Sequence, residues 1–207
     1  RGLAMRRTNL IPDLIGSELP LYNRRSPGYR RMEPAMAGNH FYQFIGQYET
    51  GRYSKAHKHH STAVLICLKE RGYTYTWPES LGSAPWRDGK AEKVLRQDYE
   101  YGGMVSAAPM SGDWFHQHFG IAKEGLRVLA WHGPNNHPAL KAGRPGEALK
   151  DIWSVDLDKG GNAIPYRLED AALRAEYEAT LAREGMPSRM NPELYTGAAA
   201  DDGMGGP

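Results

Sequence analysis

The sequence predicts an all-β protein, a sandwich or barrel of the jelly-roll type with an extended N-terminal arm and a C-terminal helix. The chain of 207 residues holds 24 glycines and 14 prolines, and it lacks long Leu-rich helical stretches. From residue 40 onward, short segments rich in Val, Ile, Thr, Tyr and Trp alternate with Gly- and Pro-containing turns. Many short strands separated by such turns are typical of antiparallel sandwiches and barrels.

Residues 1–40 are expected to form the arm, because prolines recur every few residues and no period is visible. Such an arm must pack on the barrel, on a second subunit or on a neighbouring domain. We predict the barrel over residues 41–155 and a C-terminal extension with a helix over 156–196. The small, polar tail at 197–207 is predicted to be disordered.

Within the barrel region, strand signals come in four stretches. Residues 40–50 predict one strand, and residues 62–77 predict two strands that meet at Arg71 and Gly72. Residues 92–120 predict two or three strands broken by glycines and a proline, and residues 125–133 predict one more.

The helix of the C-terminal extension has clear start and stop signals. Asp170 is the expected N-cap, and Leu173, Tyr177 and Leu181 share one face at i+4 spacing. Gly185 is the expected end of the helix.

Composition excludes several classes of protein. The net charge is only +2, with Lys and Arg scattered among Asp and Glu, so no basic stripe predicts nucleic-acid binding. No run of about 18 apolar residues predicts a transmembrane helix, and the N-terminus lacks the apolar core of a secretory signal. Cys67 is the single cysteine, which excludes an intramolecular disulfide and favours a reducing, cytoplasmic location.

Histidines cluster at two places in the strand region. His57, His59 and His60 lie in one stretch, and His116 and His118 lie in another. Side chains two apart on a strand share a face, so each His-x-His pair can point into a barrel together. Converging neutral imidazoles suit Fe, Ni, Cu, Zn or Mn, whereas a structural zinc site is disfavoured because cysteine ligands are lacking. A single His-x-His pair more often lies on the surface or in the core without binding a metal, but two such pairs favour a metal site.

These motifs resemble those of the cupin superfamily over residues 41–133. The first cupin motif, a glycine, five residues, His-x-His and a closing glycine, is matched by Gly51, His57, His59 and Gly72. The second motif is matched in order, with two extra residues after the proline, by Gly103, Pro109, Gly112 and His116. The resemblance implies a small jelly-roll barrel with a metal at its centre, and it says little about the reaction.

Two departures from the cupin pattern affect the ligand set. The position of the usual metal-binding glutamate falls at Ala63 or Val64, and the position of the second motif's asparagine is Gly120. The resemblance then implies a metal held by His57, His59 and His116, with His118 as either a fourth ligand or a base beside the metal. His60 is an alternative ligand if the strand bulges. A metal without an anionic ligand should favour an anionic substrate group, a carboxylate or an enolate, as an added ligand. Such a site should also discriminate against Mg and Ca, which prefer oxygen ligands.

Five residues are candidates for lining the substrate pocket: Trp77, Trp114, Tyr99, Cys67 and His132. Most strand aromatics are expected to be core or subunit contacts, and a histidine at a strand end is more often solvated. Cys67 should face inward in step with Ala63 and Leu65, as a small buried apolar residue unless a positive neighbour activates its thiol. His40 and His137 are interpreted as structural.

The leading hypothesis for function is a mononuclear enzyme with a divalent transition metal. Fe(II) is favoured over Mn, Ni or Zn, and an iron centre predicts a dioxygenase, as in the three-histidine cupin dioxygenases that the motifs resemble. A redox-silent metal predicts an isomerase, decarboxylase or lyase, in which His118 or a tyrosine moves the proton. A non-catalytic cupin that binds a small molecule is the alternative from another class. We also expect a homodimer or higher homo-oligomer. A third alternative is one half of a two-barrel cupin, in which the N-terminal arm, beginning at Arg1, is the linker from a preceding barrel.

Overall fold

The computed structural model describes residues 5–23, 26–36, 41–59, 63–108, 113–134 and 155–199. The strands in these ranges are β1 (Met5–Arg7), β2 (Arg30–Ala35), β3 (Phe41–Tyr48), β4 (His57–His59), β5 (Ala63–Lys69), β6 (Gly72–Pro78), β7 (Leu95–Tyr99), β8 (Met104–Ala108), β9 (Trp114–Gly120) and β10 (Leu126–Pro134). Helix α1 spans Ala171–Arg183. Short 3-10 helices lie at Glu79–Leu81, Ala91–Lys93, Leu157–Lys159, Tyr166–Leu168 and Pro192–Tyr195.

The strands form two sheets. One has six strands in the order β1-β2-β3-β10-β5-β8, and the other has four in the order β4-β9-β6-β7. Every pair is antiparallel except β1 with β2. The chain passes from one sheet to the other between β5 and β6, so these predicted strands do not form a hairpin. The antiparallel jelly-roll barrel predicted from the sequence is confirmed.

The arm packs on the barrel. Strands β1 and β2 extend the six-stranded sheet beyond β3, and residues between them cross its outer face. There Leu19, Met32 and Ile45 form a buried cluster, with relative exposures of 2%, 2% and 0%. The guanidinium of Arg127 donates to the backbone carbonyls of Ile15 and Ser17. Of the three predicted partners for the arm, the structure shows the barrel.

The outer face of the four-stranded sheet is covered by the C-terminal segment, which we define as residues 155–199. Helix α1 begins as predicted, because the Asp170 carboxylate accepts from the backbone N–H of Ala172 at 3.2 Å. Its buried face holds Leu173, Tyr177 and Leu181, and these pack in one cluster with aromatic residues of β6 and β9. The helix is followed by Gly185 with φ +71°.

Several predictions fall on other parts of the chain. His40, His60 and His137, and the tail from residue 200, lie outside the described residues. In the described part, no helix is long and apolar enough to cross a membrane. The proposed domain boundaries stay predictions.

Candidate metal centre

Three imidazoles converge on the inner side of the four-stranded sheet. Strand β4 pairs with β9 so that His57 lies directly opposite His116. The rings of His57 and His116 have centroids 4.2 Å apart, and those of His59 and His116 are 4.6 Å apart. One possible donor atom from each of the three lies within 4.8 Å of the others. All three side chains are buried.

Strand alternation explains why these side chains face inward. Lys58, between the two histidines of β4, forms ion pairs with Glu79 and Asp113. On β9, Phe115 lies on the opposite face from His116 and packs in the cluster beneath the C-terminal segment. The inward residues of the neighbouring strand β6 are Thr74 and Thr76, paired with His118 and His116.

Backbone carbonyls favour a tautomer that suits metal binding. The Nδ1 atom of His116 lies 3.2 Å from the carbonyl oxygen of Trp114, and that of His57 lies 3.4 Å from the carbonyl oxygen of Lys55. When Nδ1–H donates to a carbonyl, Nε2 carries the lone pair that binds a metal. Bonds of about 2.0–2.1 Å from nitrogen to zinc or similar ions place two ligand atoms roughly 3–4 Å apart. The donor atoms of the three histidines, all within 4.8 Å of one another, lie near this spacing, so the group could hold a transition-metal ion after a small adjustment of the rings.

His118 lies beside this group but is not a member of it. Its ring centroid is 5.5 Å from that of His116 and 6.4 Å from that of His57. The hydroxyl of Tyr99 lies 3.0 Å from Nδ1 of His118. Burial raises the pKa of Tyr99 well above its usual range, so the hydroxyl keeps its proton and can donate it to Nδ1. When Tyr99 donates to Nδ1, Nε2 of His118 carries hydrogen, and the ring can deliver a proton from that atom. Whether His118 is a fourth ligand or moves a proton stays a prediction.

The histidines line a small cavity between the two sheets. It has a volume of about 10 Å³, roughly enough for one water molecule. The lining residues are Arg31, Phe44, Tyr48, His57, His59, Ala63, Leu65, His116, His118, Ala130 and His132. A ligand larger than water must therefore displace side chains to enter.

Sequence reasoning missed a buried ion pair at this cavity. Arg31 and Glu33, both on β2, are 3% exposed, and their charged groups lie 2.7 Å apart. The guanidinium carbon of Arg31 lies 3.7 Å from the centroid of the Phe44 ring. The two residues are two apart in a strand, which is a signal for a shared face. Prolines on both sides of that stretch hid it, because they suggested an irregular arm.

Of the five candidate pocket residues, His132 lines the cavity and the other four do not. His132 lines the cavity, with its ring centroid 5.3 Å from that of His59. Tyr99 does not line the cavity, but its hydroxyl contacts His118, which does. Trp114 does not line the cavity, although its carbonyl lies beside Nδ1 of His116.

Trp77 and Cys67 lie away from the cavity lining. Trp77 is on the outer side of the four-stranded sheet, because Thr74 and Thr76 take the inner positions of β6. It stacks on Phe115 with ring centroids 5.6 Å apart. Cys67 is packed in one cluster with Ala63 and Leu65, the inward orientation that the alternation predicted. Burial raises the pKa of its thiol, which disfavours a thiolate.

Two histidine-bearing strands, β4 and β9, pair inside a two-sheet antiparallel barrel, as the resemblance to cupins predicted. The fold is that of the cupin barrel. The first-motif glycine Gly72 has a physical role in it, because a Cβ there would lie 2.3 Å from the carbonyl oxygen of Phe119. At the glutamate position of the cupin motif, Ala63 lines the cavity while Val64 is exposed, so neither supplies a carboxylate.

Cupin barrels are also found among solved structures that are similar to this chain. A cupin-2 domain protein from Rhodospirillum rubrum is 16% identical, with 64% of this chain and 80% of that chain covered and a TM-score of 0.43. A cupin 2 barrel domain protein from Salinispora arenicola is 18% identical, with 56% and 88% covered and a TM-score of 0.38.

Oxalate decarboxylase from Lactobacillus farciminis, solved as a formate complex, is 11% identical with a TM-score of 0.43. The match covers 59% of this chain but only 32% of that chain. No protein-family model and no curated protein matches the chain.

Proposed function

We propose that the protein is a mononuclear metal-dependent enzyme for a small anionic organic substrate, and that with Fe(II) it is a dioxygenase. The observation that carries this proposal is the group of three buried imidazoles, His57, His59 and His116, with donor atoms within 4.8 Å. A bound divalent transition metal would supply Lewis acidity and, in the case of iron, reactivity towards oxygen.

The neutrality of the ligand group supports an anionic substrate. Among the described residues, no carboxylate joins the three histidines, so a divalent ion there would keep its full charge. Negative oxygen atoms of a carboxylate or enolate are then favourable additional ligands.

Arg31 supports the same substrate class from the opposite sheet. Arg31 lines the cavity together with apolar side chains, among them Phe44 and Leu65, and its side chain is only 3% exposed to solvent. Arginine binds carboxylates through two parallel hydrogen bonds, and such bonds strengthen where water is excluded. Glu33 holds the guanidinium in place, and we propose that the substrate's carboxylate shares it.

The His118–Tyr99 pair favours a second candidate, an isomerase, decarboxylase or lyase with the same substrate class. The pair is buried and bonded at 3.0 Å, beside the ligand group. Nε2 of His118 can hold a proton for delivery to a carbanion or enolate, a step that non-redox reactions of this type need.

Anaerobic purification without chelator or nickel affinity resin, followed by elemental analysis, tests the proposal. We expect about one transition-metal ion per chain, and oxygen consumption when the Fe(II)-loaded protein meets its substrate in a panel of small carboxylates and enolisable acids. Product formation without oxygen would select the second candidate. Binding of metal and carboxylate with no turnover in either atmosphere would contradict an enzyme and indicate a binding cupin. The homo-oligomer, the cytoplasmic location and the second barrel stay predictions.

A further inference from the structure

Strand β4 is a weak platform for two metal ligands. It has only three residues, His57–His59, and it lies at the edge of the four-stranded sheet, paired on one side with β9. Short edge strands are marginally stable by themselves. The positions of His57 and His59 therefore depend on whatever holds the other edge of β4.

The C-terminal segment holds that edge. The backbone N–H of Lys58 donates to the carbonyl of Asn162 at 3.1 Å, and the N–H of Ile164 donates to the carbonyl of Ala56 at 2.8 Å. His57 and Ala163 pair across an antiparallel bridge. Residues 162–164 thus act as an additional short strand beside β4.

A buried ion pair fixes the same contact two residues before His57. Lys55 Nζ lies 2.8 Å from Asp156 Oδ1, and the two side chains are 2% and 3% exposed. Lys159 approaches the other oxygen of Asp156 at 3.3 Å. Removing one partner of a buried pair leaves an uncompensated charge, so the pair strongly favours the docked position of residues 155–159.

The residues that lead into β4 are held in the same way. We call residues 51–56 the approach segment. The Arg189 N–H donates to the Gly51 carbonyl at 2.8 Å, and the Tyr166 hydroxyl donates to the Tyr53 carbonyl at 2.7 Å. The Tyr177 hydroxyl is shared between the carbonyls of Arg52 at 3.1 Å and Gly120 of β9 at 2.9 Å. Gly51 has φ +76°, and a Cβ there would lie 2.7 Å from the carbonyl oxygen of Pro187. The approach segment lies directly against the C-terminal segment.

Strand β9, which carries the third ligand, is tied to the approach segment through Gln117. The side-chain nitrogen of Gln117 donates to the Ser54 carbonyl at 2.9 Å and to Glu169 Oε2 at 2.6 Å. The Tyr53 hydroxyl donates to Glu169 Oε1 at 2.5 Å. One carboxylate of the C-terminal segment therefore connects the two ligand-bearing parts of the chain from outside the barrel.

From these contacts we infer that the C-terminal segment is a structural part of the metal centre, with Asp156 and Glu169 as positioning residues for His57, His59 and His116. This inference rests on the proposed function in one respect, that the three histidines bind a metal. Metal affinity depends on the residues that orient the ligands. Loosening the C-terminal segment should therefore weaken metal binding although every ligand is present.

The test uses the full chain without metal, titrated with Co(II), whose visible absorption reports tetrahedral or higher coordination. The variants are Asp156→Asn, Glu169→Gln and the two combined. We expect the combined variant to raise the Kd for Co(II) on the order of 10–100-fold and to speed amide hydrogen exchange across residues 51–59. Tyr177→Phe removes the hydroxyl that donates to the carbonyls of Arg52 and Gly120. It should show the same effects more weakly, and it serves if the combined variant does not fold.

Ile45→Ala is the matched control for a general loss of stability. Ile45 is fully buried on the outer face of the other sheet, so its truncation destabilises the fold without touching the C-terminal segment. Glu184→Gln is the control for charge, because Glu184 joins the C-terminal segment to Arg71 of the barrel at an exposed position, away from residues 51–59. Both should change the Kd by less than about threefold.

An unchanged Kd and unchanged hydrogen exchange in the combined variant would overturn the inference, as would an equal loss of affinity in Ile45→Ala. Failure of the proposed function would look different, because the unsubstituted protein would then bind no Co(II). In that case hydrogen exchange alone decides whether Asp156 and Glu169 hold residues 51–59.

Discussion

The two sheets of the barrel contribute different parts of the candidate site. The four-stranded sheet supplies His57, His59 and His116, whereas the six-stranded sheet supplies Arg31, His132 and most of the apolar lining. Ligands that must keep a fixed mutual spacing thus lie on one sheet. The groups that would receive the substrate lie on the other.

The outer faces of the two sheets also differ, in how completely other parts of the chain cover them. Aromatic residues of the C-terminal segment cover the four-stranded sheet, whereas the arm covers only part of the six-stranded sheet. Val64, Trp131 and Met104 on the six-stranded sheet are 39%, 48% and 71% exposed. The sheet with the candidate ligands is the one supported from behind, which suggests that the support serves the ligands.

The largest expected effect is on the free energy of unfolding, and it is tested by substituting one tryptophan on each outer face, Trp77 and Trp131. Trp77→Ala should lower the free energy of unfolding by about 3–5 kcal/mol, because the side chain is fully buried and its removal leaves a cavity. Trp131→Ala should cost roughly 1 kcal/mol or less, since half of that side chain is exposed. Urea denaturation followed by circular dichroism measures both. Similar losses for the two would contradict the difference between the faces.

The next effect is on metal binding, and it is tested by substituting one histidine of each sheet, His116 and His132. His116→Ala should weaken metal binding by more than the roughly 10–100-fold that loss of a supporting residue costs, because it removes a ligand. His132→Ala should keep the metal, since His132 is not in the group of three. Elemental analysis after gel filtration gives the occupancy. Full occupancy in His116→Ala would refute the ligand assignment.

Substitution of Arg31 tests whether the six-stranded sheet binds the substrate independently of the metal. Arg31→Met should weaken carboxylate binding roughly 10–100-fold, the effect of losing a charge-assisted hydrogen bond of about 1.5–3 kcal/mol. It should also destabilise the fold, because it leaves the buried carboxylate of Glu33 without its partner. Metal occupancy should stay the same, because Arg31 is on the other sheet. Calorimetric titration of the metal-loaded protein with small carboxylates measures the affinity, with Arg31→Lys as the charge-preserving control. A joint loss of metal and carboxylate would show that the sheets do not act separately.

The smallest expected effect concerns the bond between Tyr99 and His118. Tyr99→Phe should cost about 1 kcal/mol of stability, a typical value for one hydrogen bond, and leave metal occupancy unchanged. If His118 moves a proton, turnover should fall, because the ring loses the partner that fixes its tautomer. Steady-state kinetics beside thermal melting separates the two effects. Unchanged turnover would remove His118 from the reaction.

The three candidate ligands could be found in the sequence because alternation puts His57 and His59 on one face and the second motif brings in His116. The role of His118 could not be found, since the same alternation fits a ligand and a base. The bond to Tyr99 bears on this choice, and it could not be found in the sequence because it joins residues on different strands. Arg31 was missed because prolines obscured the strand that carries it.

Trp77 shows a different reason for failure. Strand β6 is buried on both faces, so its alternation does not reveal which side faces the cavity. The polar residues Thr74 and Thr76 face the inside, and the aromatic ones face the C-terminal segment. That arrangement depends on the C-terminal segment, residues 155–199, which is distant from β6 in the chain.

Cys67 provides a convenient internal reporter. It is the only thiol in the chain and is 1% exposed in the barrel interior. A thiol reagent can therefore react with the native protein only when the six-stranded sheet opens. The labelling rate, with and without Co(II), would measure how far a metal ion at the three histidines reduces the opening of the barrel.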